Sequence, residues 1–219
     1  NDGSTDGTAG LLERERGIRL ITHPANRGYG AALSSAFAYA REHGFDVLVT
    51  MDCDGQHEPA RIPVLLEAIH DADIVSGSRY LRDFRQDTPA PADRRRINHI
   101  ITEELNERFG LGLTDAFCGF KAYRRSALAR LRMTETGWGM PLQLWVQAAR
   151  LGLRIKEVAV PRVYLDPDRA FGGMLDNAEA RLAHYRRVIA NALHDDLPID
   201  PFAASCGWFD ESDREEPCR

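Results

Sequence analysis

The chain has 219 residues, a formal net charge of −5, 43% hydrophobic and 28% charged residues. That length and balance suit one packed α/β domain and exclude a disordered or collagen-like chain. A negative charge without a long basic run argues against nucleic acid as a partner. Cys53, Cys118, Cys206 and Cys218 share no CxxC spacing, which argues against a zinc knuckle or a dithiol redox pair. No apolar run approaches the roughly 18 to 20 residues needed to cross a bilayer, so the expectation is a soluble chain.

In chain order, NDGSTDGT (1–8) is an acidic loop whose residues also read as plain turn formers. Ile18 to Thr22 is expected as a short strand. In NRGYGAALSSAFAYAREHG, Leu33, Phe37 and Ala40 recur at helical spacing and Gly44 stops the helix. The glycines ahead of that helix leave backbone N–H groups at its positive end, an arrangement suited to an anion, although no Walker A pattern follows. FDVLVTM (45–51) reads as a buried strand ending at Asp52. Pro59 opens the next helix, and Asp73 to Ser76 forms the next strand.

Residues 82–94 are polar, carry Pro89 and Pro91, and read as a mobile loop placed to act as a lid. Ile97, Ile101, Leu105 and Phe109 then mark one helix face, ended by Gly110. A helix is expected over Met140 to Leu151, a closing strand in LRIKEVAVPRVY, and a last helix from Met174 to Leu193 whose arginines raise contact with an anionic membrane surface, packing on its own domain being the plainer reading. Alternating strands and helices predict a mostly parallel sheet and a single domain over 1–194. Residues 195–219 are acidic and read as a loosely ordered tail.

The chemistry concentrates in MDCDGQH (51–57). Two carboxylates one residue apart at a strand's exit face the same way, and left alone they repel, so a divalent cation, Mg2+ or Mn2+, is their natural partner. Solvated turn aspartates are the plainer alternative. In TDAFCGFKAYRR, Asp115 is a candidate general base or acceptor contact and Lys121 a candidate phosphate contact. Arg79, in SGSRY after a strand, is similarly placed to meet an anion.

With NDGSTDGT, NRGYGAALSSAFAYA, DCDGQHEP, GSRY and DAFCGFKAYRR in this order, the chain resembles a family 2 glycosyltransferase of the GT-A fold, dolichyl-phosphate mannose synthase type. The resemblance implies transfer of a sugar from a GDP- or UDP-sugar to an acceptor, polyprenyl phosphates included, with metal-assisted departure of the diphosphate and inversion. By position it implies Asp2 and Asp6 in the nucleotide loop, Asp52, Asp54 and Gln56 at the metal–diphosphate site, and Asp115 near the sugar or acceptor. Arg79, Lys121 and Arg169 become substrate contacts. The implied location is the cytoplasm, extending to the cytoplasmic membrane surface.

Three departures qualify it. The strands such a family carries ahead of its acidic loop are missing here, so the nucleoside pocket is expected to be incomplete. Gln143 stands where a related enzyme often has an acid, and LDPDRAFGG lacks a Ser-Lys ending. Two rival readings are a catalytically inactive nucleotide-sugar-binding fragment and a haloacid-dehalogenase-type phosphatase using DCDGQ as its nucleophile loop.

Overall fold

The structure is a computed structural model and describes residues 1–165 and 170–195. Arg169 and nearly all of the acidic tail lie outside the described residues. Four strands form one sheet in the order β1-β3-β2-β4: Val47–Thr50 (β1), Ile74–Ser78 (β2), Lys121–Arg124 (β3) and Ile155–Ala159 (β4). β2 pairs with β4 in parallel, whereas β3 lies antiparallel to both β1 and β2. Among the described residues β1, β2 and β4 therefore run one way and β3 alone runs against them. The expected parallel character holds in strand direction, and the two antiparallel pairings arise because β3 is inserted between β1 and β2.

Period-2 alternation sends each strand's side chains to two cores. Leu48, Ile74, Tyr123 and Ile155 face a large core with Phe37, Leu105, Trp145 and Ile189, contributed by the helices Tyr29–Glu42 (α2), Ala92–Phe109 (α4), Met140–Arg150 (α6) and Ala178–Leu193 (α7). Val47, Val49, Val75 and Ala122 face a smaller core with Leu65 and Ile69, covered by Ile62–Ala68 (α3). Most helices thus lie on one face and α3 on the other, a layered α/β architecture. Among the described residues no helix is long and apolar enough to cross a membrane.

Three sequence expectations change. Ile18 to Thr22 is not a strand: among the described residues its backbone pairing is with Asn1, whose N donates to Ile21 O and whose O accepts from the adjoining His23 N, and Ile18, Leu20 and Ile21 are exposed. An isolated ladder rung does not make a sheet. The last helix starts at Ala178 rather than Met174, because Asn177 Oδ1 accepts from Glu179 N and Ala180 N at 3.0 and 2.9 Å and sets the N-cap there. The loop after β2 is pinned rather than loose. Asp87 Oδ1 accepts from Arg162 N at 2.8 Å, and Thr88 Oγ1 accepts from Tyr164 N at 2.7 Å.

Candidate functional site

The C-terminal ends of β1, β2 and β4 share one edge of the sheet, and the segment entering β3 arrives at that same edge. Open α/β sheets bind ligands at this end. A cleft of about 450 Å³ opens there, lined by Asp52, Asp54, Gln56, Arg79, Asn98 and Tyr164 together with a group of apolar and aromatic side chains.

Beyond Thr50 the chain bends through residues 53–55, with Gly55 at φ +79°, and Asp52, Asp54 and Gln56 are half-buried at the cleft while Met51 and Cys53 are more exposed at its rim. Asp54 Oδ1 accepts from Gln56 N at 3.1 Å, closing the turn. Asp52 N donates to His57 Nδ1 at 2.9 Å, so that nitrogen carries a lone pair, and the ring stacks on Phe120 with centroids 5.2 Å apart. Burial lowers the proton affinity of His57, and a neutral imidazole is what an acceptor nitrogen requires. The Asp52 carboxyl is shifted the other way. Desolvation raises its pKa and the neighbouring charge of Asp54 adds to that shift, while the fields of Lys121 and Arg79 oppose it.

That carboxylate lies in a cradle formed by glycine. A Cβ on Gly119 would stand 2.6 Å from Asp52 Oδ2 and 2.9 Å from Oδ1. Thr50 Oγ1 donates to Gly119 O at 2.9 Å and fixes the approach. Asp52 and Asp54 are the carboxylates at this cleft by which a hard divalent cation would be held. Among the described residues no group of three or more His, Cys, Asp or Glu is arranged to hold a metal ion, and His57 Nδ1 lies 3.8 Å from Asp52 Oδ2.

Arg79 follows β2. Its Nε donates to Asp115 Oδ2 at 2.7 Å and its Nη2 to Asp115 Oδ1 at 2.9 Å, a bidentate pair, while Nη1 donates to Tyr164 Oη at 3.3 Å. Asn98 Nδ2 donates to Asp115 Oδ1 at 2.7 Å. Asp115 is 0% exposed. Desolvation alone would raise its pKa, but the charge of Arg79 and the hydrogen bonds from Arg79 and Asn98 prevail and bring it down to about 2. An acid so held is a weak proton acceptor at neutral pH, and its geometry is that of a positioning group for Arg79.

The other candidates are not brought to the cleft wall. Lys121 is 2% exposed: it shares a sheet face with Tyr123, its Nζ donates to Cys118 O, and it lies 4.9 Å from the centre of the Trp145 ring. Asp2 accepts from Arg27 N at 2.9 Å, Gly28 N at 2.8 Å and lies 2.6 Å from His23 Nδ1, so it ties the first loop to the entry of α2. Asp6 accepts from Thr8 N and Thr8 Oγ1, starting the short helix Thr8–Leu12 (α1). Gln143 is buried, its Oε1 accepting from Thr134 N and Glu135 N at 2.9 and 2.8 Å, so it supports the loop before α6. Of the arginines of α7, Arg181 is buried against Asp93 and Arg186 pairs with Glu104 of α4, whereas Arg187 is exposed.

Sequence reasoning missed an aromatic section of the cleft wall. Tyr29 stacks on Trp138 with centroids 5.0 Å apart, and Trp138 meets Phe171 edge-on at 5.8 Å. Phe117 packs against Tyr185 at 4.9 Å. The available signal was aromatic residues beside glycine in GWGM and AFGG.

Comparisons with known proteins agree with this architecture. A family model described as Glycosyl transferase family 2 matches residues 1–132. The undecaprenyl-phosphate mannosyltransferase of Micrococcus luteus is 31% identical over 194 residues, spanning 84% of this chain and 79% of that protein. The polyprenol monophosphomannose synthase of Mycolicibacterium smegmatis is also 31% identical, over 176 residues, 73% of this chain and 63% of its own length. Among solved structures, glucosyl-3-phosphoglycerate synthase of Mycobacterium tuberculosis with Mn2+, UDP and glucosyl-3-phosphoglycerate superposes with a TM-score of 0.64 at 21% identity, covering 90% of this chain and 67% of that one. At that identity the likeness establishes the GT-A fold and nothing finer. With sheet, cleft and family match in accord, the chain belongs to glycosyltransferase family 2.

Proposed function

We propose that the chain transfers a hexose from a nucleoside-diphosphate sugar to a polyprenyl phosphate, with inversion at the anomeric carbon. The observation that carries this reading is a single cleft holding two adjacent acids, Asp52 and Asp54, and a rigidly held guanidinium, Arg79. Family membership leaves no place for the phosphatase reading of DCDGQ. The names of the two bacterial relatives support a polyprenyl phosphate acceptor, and the Mn2+ bound with UDP in the mycobacterial structure supports a divalent ion.

Asp52 and Asp54, with the Gln56 amide, would hold Mg2+ or Mn2+, whose chemistry here is neutralising charge on the departing diphosphate. The loop carrying Asp2 and Asp6, tied to α2 through Gly28, belongs on the nucleotide side. Arg79 holds the acceptor phosphate with the N–H groups that Asp115 and Tyr164 leave outward. A phosphate oxygen forms the new bond to the anomeric carbon, the bond from that carbon to the diphosphate breaks, and its electron pair leaves with the diphosphate. A phosphate monoester with a second pKa near 6 is already mostly dianionic at neutral pH, so no side chain takes a proton. Asp115 is then free to be a positioning group rather than a base. A lipid-linked acceptor places the chain at the cytoplasmic membrane surface as a peripheral protein.

The test is transfer of labelled hexose from GDP- and UDP-sugars to a short polyprenyl phosphate, followed by extraction into organic solvent. Lipid-linked label is expected with Mn2+, abolished by chelator, and reduced about 100-fold or more by Asp52→Asn, the scale of losing a main electrostatic contact in the transition state. Turnover indifferent to chelator and to Asp52→Asn removes the metal from this reading. Failure to label any prenyl phosphate while another acceptor is labelled removes the lipid.

A further inference from the structure

The cleft is polar around Asp52, Asp54 and Arg79, whereas its other section is dominated by the rings of Tyr29, Trp138, Phe117, Phe171 and Tyr185, with Arg94 and Arg181 at its margin. Trp138 remains 36% exposed even while stacked on Tyr29, and it continues into Phe171. Phe171 is held firmly. The guanidinium carbons of Arg94 and Arg181 lie 4.6 and 4.7 Å from its ring centre, and Arg181 is itself fixed by Asp93 and by Leu175 O at 2.7 Å. Apolar surface kept rigid and open to water inside a functional cleft is characteristic of a ligand contact.

A second aromatic pair adjoins the anion contact. Phe117 N donates to Asp115 Oδ1 at 3.1 Å, so the Phe117–Tyr185 pair begins beside the carboxylate that holds Arg79. A phosphate at Arg79 therefore delivers the first carbons of whatever it esterifies to ring faces. A branched, unsaturated hydrocarbon attached to that phosphate would bury its apolar surface against them.

We propose that this aromatic section is the subsite for the first isoprene units of the acceptor, and that Trp138 and Phe171 set the preference for a prenyl chain over a short one. The inference rests on the acceptor reading given above. It assigns the rings to the acceptor's hydrocarbon, and contact with the donor's base is the outcome that would contradict it.

The experiment compares fifteen-carbon farnesyl phosphate with five-carbon dimethylallyl phosphate as acceptors, using one nucleotide-sugar and the full chain. The wild type is expected to favour the longer acceptor in kcat/KM. In Trp138→Ala and Phe171→Ala that ratio is expected to fall by about tenfold, the scale of removing a few methylene-sized contacts, with the donor KM unchanged. Phe171→Leu, which keeps an apolar surface, is expected to retain most of the preference. Equal losses on both acceptors, a raised KM for the nucleotide-sugar, or a wild type indifferent to chain length would each overturn the subsite. No transfer to either prenyl phosphate would instead defeat the acceptor reading beneath it, so the two failures are distinguishable.

Discussion

A carboxylate sealed from water beside a guanidinium stabilises a fold only while both charges are present. Removing Asp115 leaves Arg79, whose side chain is 14% exposed, without its counter-ion. Asp115→Ala is therefore expected to cost about 3–5 kcal/mol, read as a lower urea midpoint at neutral pH. The pH dependence has a fixed sign. The folded pKa, about 2, lies below the unfolded value near 3.9, so this contribution is fully present above about pH 4 and is lost as pH falls through about 2. The gap between wild type and variant should narrow from pH 7 to pH 3, and a gap independent of pH would show that the pair is not ionic. At this scale the sequence was legible where chemistry is local: Asp52 and Asp54 announce themselves by spacing alone. Asp115 was legible as a carboxylate near the site but not as the partner of Arg79, because 36 residues separate them and only the meeting of β2 with the segment before β3 joins them. Lys121 looked like a phosphate contact because it stands in a basic cluster with Arg124 and Arg125, yet the alternation that buries Tyr123 buries it too.

Elements with a long, regular pattern were read well from sequence: α4 runs from Ala92 to Phe109 and buries Ile97, Ile101, Leu105 and Phe109 as their spacing requires. Short elements were not. β3 has four residues, KAYR, between a glycine-phenylalanine turn and the helix Arg125–Arg130 (α5), too few to show a period. The segment from Ile18 to Thr22 has strand-like composition without a sheet to join. The approach to β3 yields a prediction of its own. In Gly119→Ala the three atoms nearest the added Cβ all belong to the end of the Asp52 side chain, so the side chain is expected to move and the fold to survive. Activity is expected to fall by about tenfold to 100-fold, since displacing a positioned group by a fraction of an ångström to 1 Å carries such losses. The melting temperature should shift by only a few degrees. Melting far below wild type would mean that the glycine serves the backbone instead of the acid.

For the whole molecule, the α/β class and the placing of the site at strand ends were legible from alternating apolar runs, while the reversed direction of β3 was not, since direction leaves no mark on composition. We expect residues 1–194 to unfold as one unit, because both cores rest on the same four strands. Mn2+ with the matching nucleotide at about 100 times Kd should add about 2.7 kcal/mol and raise the melting temperature by about 5–10 °C for a domain of this size. The same ligands should leave an Asp52→Asn, Asp54→Asn double variant unmoved, and an equal rise in that variant would place the nucleotide elsewhere. The reversed strand also bears on how such an enzyme can diversify. Because β3 is hydrogen-bonded to β1 and β2 at once, one inserted residue there would swap Ala122 and Tyr123 between opposite layers and pull Gly119 away from Asp52 in the same stroke. A residue added within β3 is thus expected to abolish transfer, whereas one added to a connection at the opposite end of the sheet should leave it intact.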